Sequence, residues 1–502
     1  MGIMKNPIIR DTFFLTAVEL VMQGLSLLLN AFITRNLGSD TIGIMSLIGS
    51  FFMFITIISC GNVYLSTSRF VAEEIGKKCG DPGRIFRYGA VSSLLLSSVT
   101  GTIIFALSDV LSCDLLDTPE LATGVKLLGA ILPMCAINSC FKGYFNAFRN
   151  VIVPSVGGVI DFVVKSVFIV YFTGYMITEG SMSVYTAFAY SICAGQIACF
   201  VYMLISYIKK RGRSSGKCSI SFRQFVVFSI PIFMNSLVTS VLSSTNDALV
   251  PITLKQYGNS TSEAFSQFGI FEAIVIPALF FPSSILCSLS GILVPELSRE
   301  RGADNHGETK RLINRVLRQA FGFAVVTAVI FMCFGDEIGY LLSGGHFAGK
   351  VITVLAPAVP FIYLEIILEG ILKGMGRHVF SSVNYLVEYT IRITVLLVCV
   401  PIFGFYGIVA SYLASNIIGN TSRMVMILKI TGLRFEFTDN IFIPVLSGLI
   451  SAEAAEIAKK LLPDSLSTPL ASTVILSGVV LVLYVFVCKG AVELIKPRRG
   501  EV

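Results

Sequence analysis

The sequence predicts an all-α polytopic membrane protein with about 14 transmembrane helices, in two pseudo-symmetric six-helix lobes plus two C-terminal helices. Three observations predict it: apolar composition, the distribution of positive charge and a weak internal repeat. The 502 residues are 54% hydrophobic and 14% charged, with a mean hydropathy of +0.80. Soluble domains carry about 25% charged residues, so the composition favours a membrane protein.

The apolar stretches are long enough to cross a bilayer, which takes roughly 20 residues. The candidate spans are 11–36, 41–65, 88–108, 121–145, 152–174, 183–208, 224–249, 266–295, 313–334, 351–372, 380–402, 405–429, 440–460 and 468–488. The first stretch is too long for a signal peptide and lacks a small-residue cleavage site. We therefore expect it to remain as the first span.

Positive charge indicates the orientation. Of the 38 Lys and Arg residues, 29 fall in every second gap between spans, counting the N-terminus as the first. Cytoplasmic segments carry such an excess of Lys and Arg. We expect a bacterial cytoplasmic membrane protein whose N- and C-termini are both cytoplasmic. The net charge of +7 follows from this topology, so no nucleic acid partner is expected.

A weak repeat divides the chain into two halves. Asp161 and Lys165 recur as Glu388 and Arg392, each shifted by 227 residues. Six spans per half is an even number, so both halves enter the membrane in the same sense. The predicted division is an N-terminal lobe at 1–210, a basic cytoplasmic linker at 211–223, a C-terminal lobe at 224–435, and two extra spans with a tail at 436–502.

Several ionisable residues lie inside predicted spans, where they are costly and should face a partner or a cavity. They are Glu19, Asp161, Lys165, Asp247, Glu272, Glu365, Glu388, Arg392 and Arg423. Polar companions in the first span are Gln23 and Asn30. For Glu19 and Gln23, one turn apart, packing polarity and substrate contact are both open.

The pairs Asp161/Lys165 and Glu388/Arg392 each lie one helical turn apart. Each pair either forms an internal salt bridge or contributes an acid and a base to a central water-filled cavity, and both roles are compatible. Asn384 shares a face with Glu388, and Asp247 lies near the end of the seventh span. Oxygen ligands of this kind suit a hard cation.

Arg35 ends the first span and Arg69 ends the second. Each is either an interfacial anchor or a site for a phosphorylated headgroup, because arginine can fork onto phosphate oxygens. Prolines interrupt the seventh, eighth and tenth spans and predict kinks. They are Pro231, Pro277, Pro282, Pro357 and Pro360.

No P-loop, zinc-protease motif or paired histidine is present in the sequence, which predicts a protein that is not an enzyme. No cofactor is expected, and transport energy would come from an ion gradient such as sodium or protons, a substrate gradient or another protein.

Six segments, in order, resemble motifs of the multidrug/oligosaccharidyl-lipid/polysaccharide exporter superfamily. They are ITRNLGSDTIG at 33–43, RFVAEE at 69–74, GYFNAFRN at 143–150, IPALFFP at 276–282, LVPELSR at 293–299 and LEGILKGMG at 368–376. The sequence resembles above all the stage V sporulation protein B and polysaccharide biosynthesis branch, a relative of the lipid II flippases. The resemblance extends over about residues 8–485.

This resemblance implies a two-lobed bundle of 14 helices with a V-shaped central cavity. The implied activity is alternating-access flipping of a polyprenyl-diphosphate-linked saccharide, a peptidoglycan precursor or polysaccharide repeat unit, for cell-wall or spore-cortex synthesis. Lipid II flippases carry cavity arginines in spans one, two and eight; Arg35 and Arg69 match the first two, and Glu272 lies near the third. Some relatives hold sodium at positions that Asp247, Asn384 and Glu388 match, with Glu for Asp.

Two other functions remain open. An ion-coupled multidrug antiporter of the same superfamily would favour an acidic pocket, to which Glu19, Asp161, Glu272 and Glu365 are suited. A scaffold for wall-synthesis enzymes would need no ionisable groups within its spans. The expected partners are a lipid-linked sugar substrate, membrane lipids and cell-wall synthesis enzymes.

Overall fold

A computed structural model describes residues 7–76, 81–110, 112, 121–179, 183–210, 220–302, 306–433, 437–461 and 469–495. Within these ranges the chain is helical and forms no β-strand, which confirms the all-α class. Most of the predicted linker, residues 211–219, and the tail from residue 496 lie outside the described residues.

The helices, in chain order, are α1 (Pro7–Leu37), α2 (Ser39–Cys60), α3 (Val63–Gly76), α4 (Pro82–Ala106), α5 (Ser108–Val110), α6 (Leu121–Ala147), α7 (Ile152–Glu179), α8 (Val184–Lys210), α9 (Phe222–Tyr257), α10 (Thr261–Ile270), α11 (Ile276–Phe280), α12 (Ser284–Gly302), α13 (His306–Ser343), α14 (His346–Leu355), α15 (Val359–Gly374), α16 (His378–Phe403), α17 (Phe405–Thr431), α18 (Ile443–Leu461) and α19 (Pro469–Ile495).

Each predicted span is largely helical over its described residues. In the described part of the chain, twelve helical stretches are long and apolar enough to cross a membrane. The predicted spans 405–429 and 468–488 correspond to α17 and α19. The chain is therefore a multi-pass membrane protein, with about the predicted number of spans.

Irregular backbone occurs within two of the three spans for which prolines predict kinks. The eighth span is interrupted by a π-helical segment, Phe271–Val275, and by a 3-10 turn, Phe281–Ser283. The tenth is divided by a 3-10 turn at Ala356–Ala358. The seventh, which contains Pro231, is one continuous helix, and the kink predicted there stays a prediction.

The second predicted span, 41–65, is shorter than expected. Helix α2 ends at Cys60, and α3 starts at Val63. Gly61 and Asn62 between them have φ angles of 58° and 50°, a left-handed backbone that breaks a helix.

The helices group into two compact units, residues 1–43 with 249–502 and residues 44–248. The predicted division at 1–210, 211–223, 224–435 and 436–502 describes a sequence repeat, whereas these units describe packing. The repeat-based division stays a prediction.

Within the unit of residues 44–248, two apolar clusters hold the helices together. One joins α2, α6 and α8 around Ile55, Leu128 and Ala189. The other joins α3, α4, α6, α8 and α9, and it is rich in aromatic rings that stack or meet edge to face. Helices α4 and α6 cross closely at Gly101 and Gly129.

In the other unit, the last two helices pack against α13. Val325, Val329 and Phe334 of α13 lie in one buried apolar cluster with residues of α18 and α19. Leu476 and Val480 of α19 are almost fully buried there. The two extra spans are thus attached to this unit through ordinary core packing.

Candidate functional site

A cluster of buried charges lies where α15, α16 and α17 meet. Its centre is Arg423, whose side chain is fully buried. Nη2 of Arg423 lies 3.2 Å from Glu365 and 2.9 Å from Glu388, and Nε lies 3.1 Å from Glu369. Nη1 donates to the side-chain oxygen of Asn420 at 3.2 Å. Every guanidinium nitrogen therefore has an oxygen partner.

A second arginine, Arg392, completes the charge balance around Glu388. Its Nη2 lies 3.5 Å from the other Glu388 oxygen, and its Nε donates to the Ser415 hydroxyl at 3.0 Å. The guanidinium carbon lies 4.8 Å from the centre of the Tyr389 ring and 4.2 Å from that of Tyr412. Such cation–π contacts partly replace the lost hydration of a buried cation.

The edge of the cluster is less buried. Lys373 Nζ lies 3.3 Å from Glu369, with half of the lysine side chain exposed. The Ser381 hydroxyl donates to Glu369 as well. Three carboxylates thus face two arginines and one lysine, and the formal charges cancel. This balance matters because burying an ion costs several kcal/mol unless it is paired and hydrogen-bonded.

A glycine lets Glu388 reach α17. A Cβ at position 419 would lie 2.6 Å from a Glu388 carboxylate oxygen and 3.1 Å from Nη1 of Arg423. Asn384, one turn before Glu388, donates to the Gly419 carbonyl at 3.2 Å. Asn384 and Glu388 therefore both lie against the same turn of α17.

A similar local arrangement occurs around Asp161 in the unit of residues 44–248. A Cβ at Gly195 would lie 2.6 Å from the Asp161 carboxylate, and Gln196 Nε2 donates to the same oxygen at 3.0 Å. Lys165 Nζ instead lies 5.7 Å from the centre of the Phe162 ring. Asp161 and Lys165, both described, form no ion pair, so an internal salt bridge is present in the second predicted pair only.

Arg35 lies in the last turn of α1, with its side chain exposed. Its Nη2 donates to the carbonyl of Leu341, near the C-terminus of α13. A cation is favourable at the C-terminal end of a helix dipole. Arg35 therefore has a structural contact, and its exposure also makes it accessible to an anion.

Arg69, on α3, is exposed and stacked on aromatic rings. Its guanidinium carbon lies 4.1 Å from the centre of the Phe228 ring and 5.8 Å from that of Phe70. Stacking uses the flat face of the guanidinium, whereas its N–H donors point outward in the plane. An arginine held in this way is oriented to bind a phosphate with two hydrogen bonds.

The polar residues of α1 have different surroundings. Gln23 Oε1 accepts a hydrogen bond from Ser284 at 2.8 Å, and Asn30 Nδ2 donates to the Ala273 carbonyl at 2.9 Å. These bonds tie α1 to the irregular eighth span. Glu19 is exposed on the same helix. Gln23 and Asn30 thus connect α1 to the eighth span, and both Glu19 and Gln23 are exposed.

Glu272 is half-buried within the π-helical segment Phe271–Val275. Segments of this kind are frequent at functional sites. The structure thus keeps an acidic group in the eighth span, at the place where the resemblance leads one to look for an arginine.

The three predicted sodium ligands have different surroundings. Asp247, in the unit of residues 44–248, accepts hydrogen bonds from Ser50 at 2.6 Å and from Asn246 at 3.3 Å. Asn384 and Glu388 lie in the other unit. Glu388 already faces two guanidinium groups, and a third cation beside them would be repelled. The surroundings of Glu388 therefore do not fit a sodium ion.

The sequence predicts the pair Glu388/Arg392 of α16 but not its partners on α15 and α17. Glu365 and Arg423 stand out only as charges inside spans, and Glu369 only as part of the motif at 368–376. An arginine inside a span needs an acidic partner, and that partner can lie on another helix. Which helices adjoin is a tertiary property that the spacing along one span does not contain.

Long apolar helices with paired charges inside them define a multi-pass membrane protein. Residues 8–300 match the family described as "Polysaccharide biosynthesis protein". Because this match covers more than half of the chain, the chain belongs to that family. The superfamily inferred from the six motifs is thereby confirmed.

Known relatives agree with this assignment. The chain is 20% identical over 465 residues to stage V sporulation protein B of Bacillus subtilis (strain 168), covering 89% of each sequence. Among solved structures, it is similar to lipid II flippase MurJ in an inward closed conformation, with a TM-score of 0.69 and 14% identity over 96% of this chain and 100% of that one. An inward-facing multidrug resistance MATE family transporter matches with a TM-score of 0.62 and 17% identity over 82% and 96%.

Proposed function

We propose that the chain is a flippase that moves a polyprenyl-diphosphate-linked saccharide across the cytoplasmic membrane by alternating access. The observation that carries the proposal is the match of residues 8–300 to the polysaccharide biosynthesis family. The similarity in fold to a lipid II flippase supports it. The saccharide would be a peptidoglycan precursor or a polysaccharide repeat unit, delivered to enzymes of cell-wall synthesis.

Arg35 and Arg69 give the proposal its chemistry. A diphosphate carries negative charge and several acceptor oxygens, which arginine binds in charge-assisted, bidentate hydrogen bonds. Both side chains are exposed, and Arg69 is held in place by stacking on Phe228. We assign to these two arginines the diphosphate of the substrate, and to Glu19, Asp161, Lys165 and Glu272 contacts with the rest of the headgroup.

The test is mass spectrometry of the lipids that remain bound to the gently purified full-length protein. Wild type is compared with the Arg35→Ala/Arg69→Ala double variant. The control is Arg315→Ala/Arg377→Ala, which removes two other exposed arginines. We expect a polyprenyl-diphosphate saccharide in wild type and control and its loss from the double variant.

Retention of the same saccharide lipid by the double variant would exclude the assigned role of the arginines. Ordinary phospholipids alone in all three samples would argue against a flippase. That result would favour the second candidate, an ion-coupled multidrug antiporter, which the similarity in fold to a MATE family transporter supports.

A further inference from the structure

We propose that Arg423 is a built-in cation that occupies the acidic centre between α15, α16 and α17, so that this centre takes no sodium ion. The resemblance to sodium-binding relatives leads one to look for a metal ligand at Glu388. The contacts of Glu388 in this chain instead place a side-chain cation there. The inference concerns cation binding and does not depend on the substrate that the chain moves.

The oxygen atoms around Arg423 resemble the ligands of a hard cation. Three carboxylates and one amide oxygen, from three helices, lie 2.9–3.2 Å from its nitrogens. Carboxylate and amide oxygens are also the usual ligands of hard metal ions. Here the same kind of oxygens is arranged around a planar guanidinium, whose five donors suit several acceptors at once.

Because the carboxylate charge is already balanced by arginine side chains, the centre has no place for a metal ion. One oxygen of Glu388 lies 2.9 Å from Arg423, and the other lies 3.5 Å from Arg392. Both oxygens of this carboxylate therefore face fixed positive charge. A metal ion entering between them would be repelled, most strongly where little water is present to screen the charges.

The shape of the site points the same way. A glutamate side chain is one methylene longer than an aspartate, and Gly419 leaves the room that this longer chain needs beside α17. Glu388 is about 1% exposed, so its carboxylate is enclosed by its partners. Glu388, Gly419 and Arg423 thus fit one another closely within the centre.

The first experiment measures binding of sodium to the full-length protein in detergent. Wild type is melted in equal concentrations of sodium chloride and choline chloride, since a bound ligand raises the melting temperature. We expect the same Tm in both salts. A higher Tm in sodium that is lost in Asn384→Ala would overturn the proposal, because Asn384 is a predicted sodium ligand and carries no charge.

The second experiment removes the guanidinium group from the centre. In Arg423→Ala we expect a lower Tm that rises by several degrees when methylguanidinium chloride or sodium chloride replaces choline chloride. The matched control is Arg377→Ala, which removes an exposed arginine just before α16 and should melt equally in all three salts. A folded Arg423→Ala protein with no rescue by either cation would overturn the proposal. If this variant does not fold, the comparison of Tm for wild type in sodium chloride and choline chloride still tests the proposal.

The two experiments are separate from the test of the flippase. If the protein retains the saccharide lipid and also binds sodium at Asn384, the flippase proposal stands and the proposal for Arg423 is overturned. If it binds no sodium and retains no saccharide lipid, the proposal for Arg423 stands and the flippase proposal is overturned.

Discussion

At the scale of single residues, the buried charges of α15, α16 and α17 lie beside groups of opposite charge. The sequence was sufficient to predict that Glu388 and Arg392 share a helix face, since residues four apart are neighbours in any helix. The same rule failed to give an ion pair for Asp161 and Lys165. Gln196 reaches Asp161 from the next helix instead, and spacing alone does not reveal such competition.

Arg423→Leu should strongly destabilise the protein. Removing the guanidinium leaves Glu365, Glu369 and Glu388 without their shared partner, and breaking a buried pair on one side costs about 3–5 kcal/mol. Thermal unfolding followed by circular dichroism suits an all-helical chain and measures the loss. Lys373→Gln serves as the comparison, because this half-exposed lysine should contribute at most about 1 kcal/mol. Equal losses in the two variants would contradict the central role of Arg423.

Gly419→Ala tests the close approach of Glu388 to α17. The added Cβ would lie 2.6 Å from the carboxylate oxygen, so Glu388 must shift away from Arg423, and such overpacking costs about 1–3 kcal/mol. Gly291→Ala is the control, because a Cβ at this position of α12 meets nothing within 4 Å. The control should be neutral or slightly stabilising. A Gly419→Ala protein as stable as the control would show that the glycine is not needed.

At the scale of helices, hydropathy predicted where each span lies, because a run of apolar residues long enough for a bilayer has few alternatives to helix. The ends and breaks were less predictable. Helix α9 extends to Tyr257 beyond the predicted 249, whereas Gly61 and Asn62 end α2 early. Helix α9 continues through Pro231, so a proline in a span does not by itself predict where the helix is interrupted.

Gly101→Ala should loosen the crossing of α4 and α6. Small residues let membrane helices approach closely, and a Cβ at Gly101 would lie 2.7 Å from the Gly129 carbonyl oxygen. Backbone does not yield to such a clash, so we expect a clear fall in Tm. Gly158→Ala in α7 has open space around its Cβ and should leave Tm unchanged or raise it. The helix packing would have to be looser than described if both variants behaved alike.

At the scale of the whole molecule, family and fold class could be recognised from the sequence because they depend on patterns spread over hundreds of residues. Six ordered motifs and the periodic placement of Lys and Arg are visible in the sequence itself. The buried centre around Arg423 depends on three helices in contact and required the structure. Charge distribution along the chain nevertheless makes one global property testable without coordinates, namely the orientation in the membrane.

The excess of Lys and Arg in every second gap predicts that the turn at Gly258 faces outward and the turn at Gly376 faces the cytoplasm. Both glycines lie between helices, with φ angles of 115° and 71°, so a reporter domain fused after either one interrupts no helix. Alkaline phosphatase, active only outside the cytoplasm, should be active after Gly258 and inactive after Gly376. A fluorescent reporter that matures only in the cytoplasm should give the opposite result. The same activity at both sites would mean an even number of crossings between them, instead of the three that are predicted. A reversed pattern would place both termini outside.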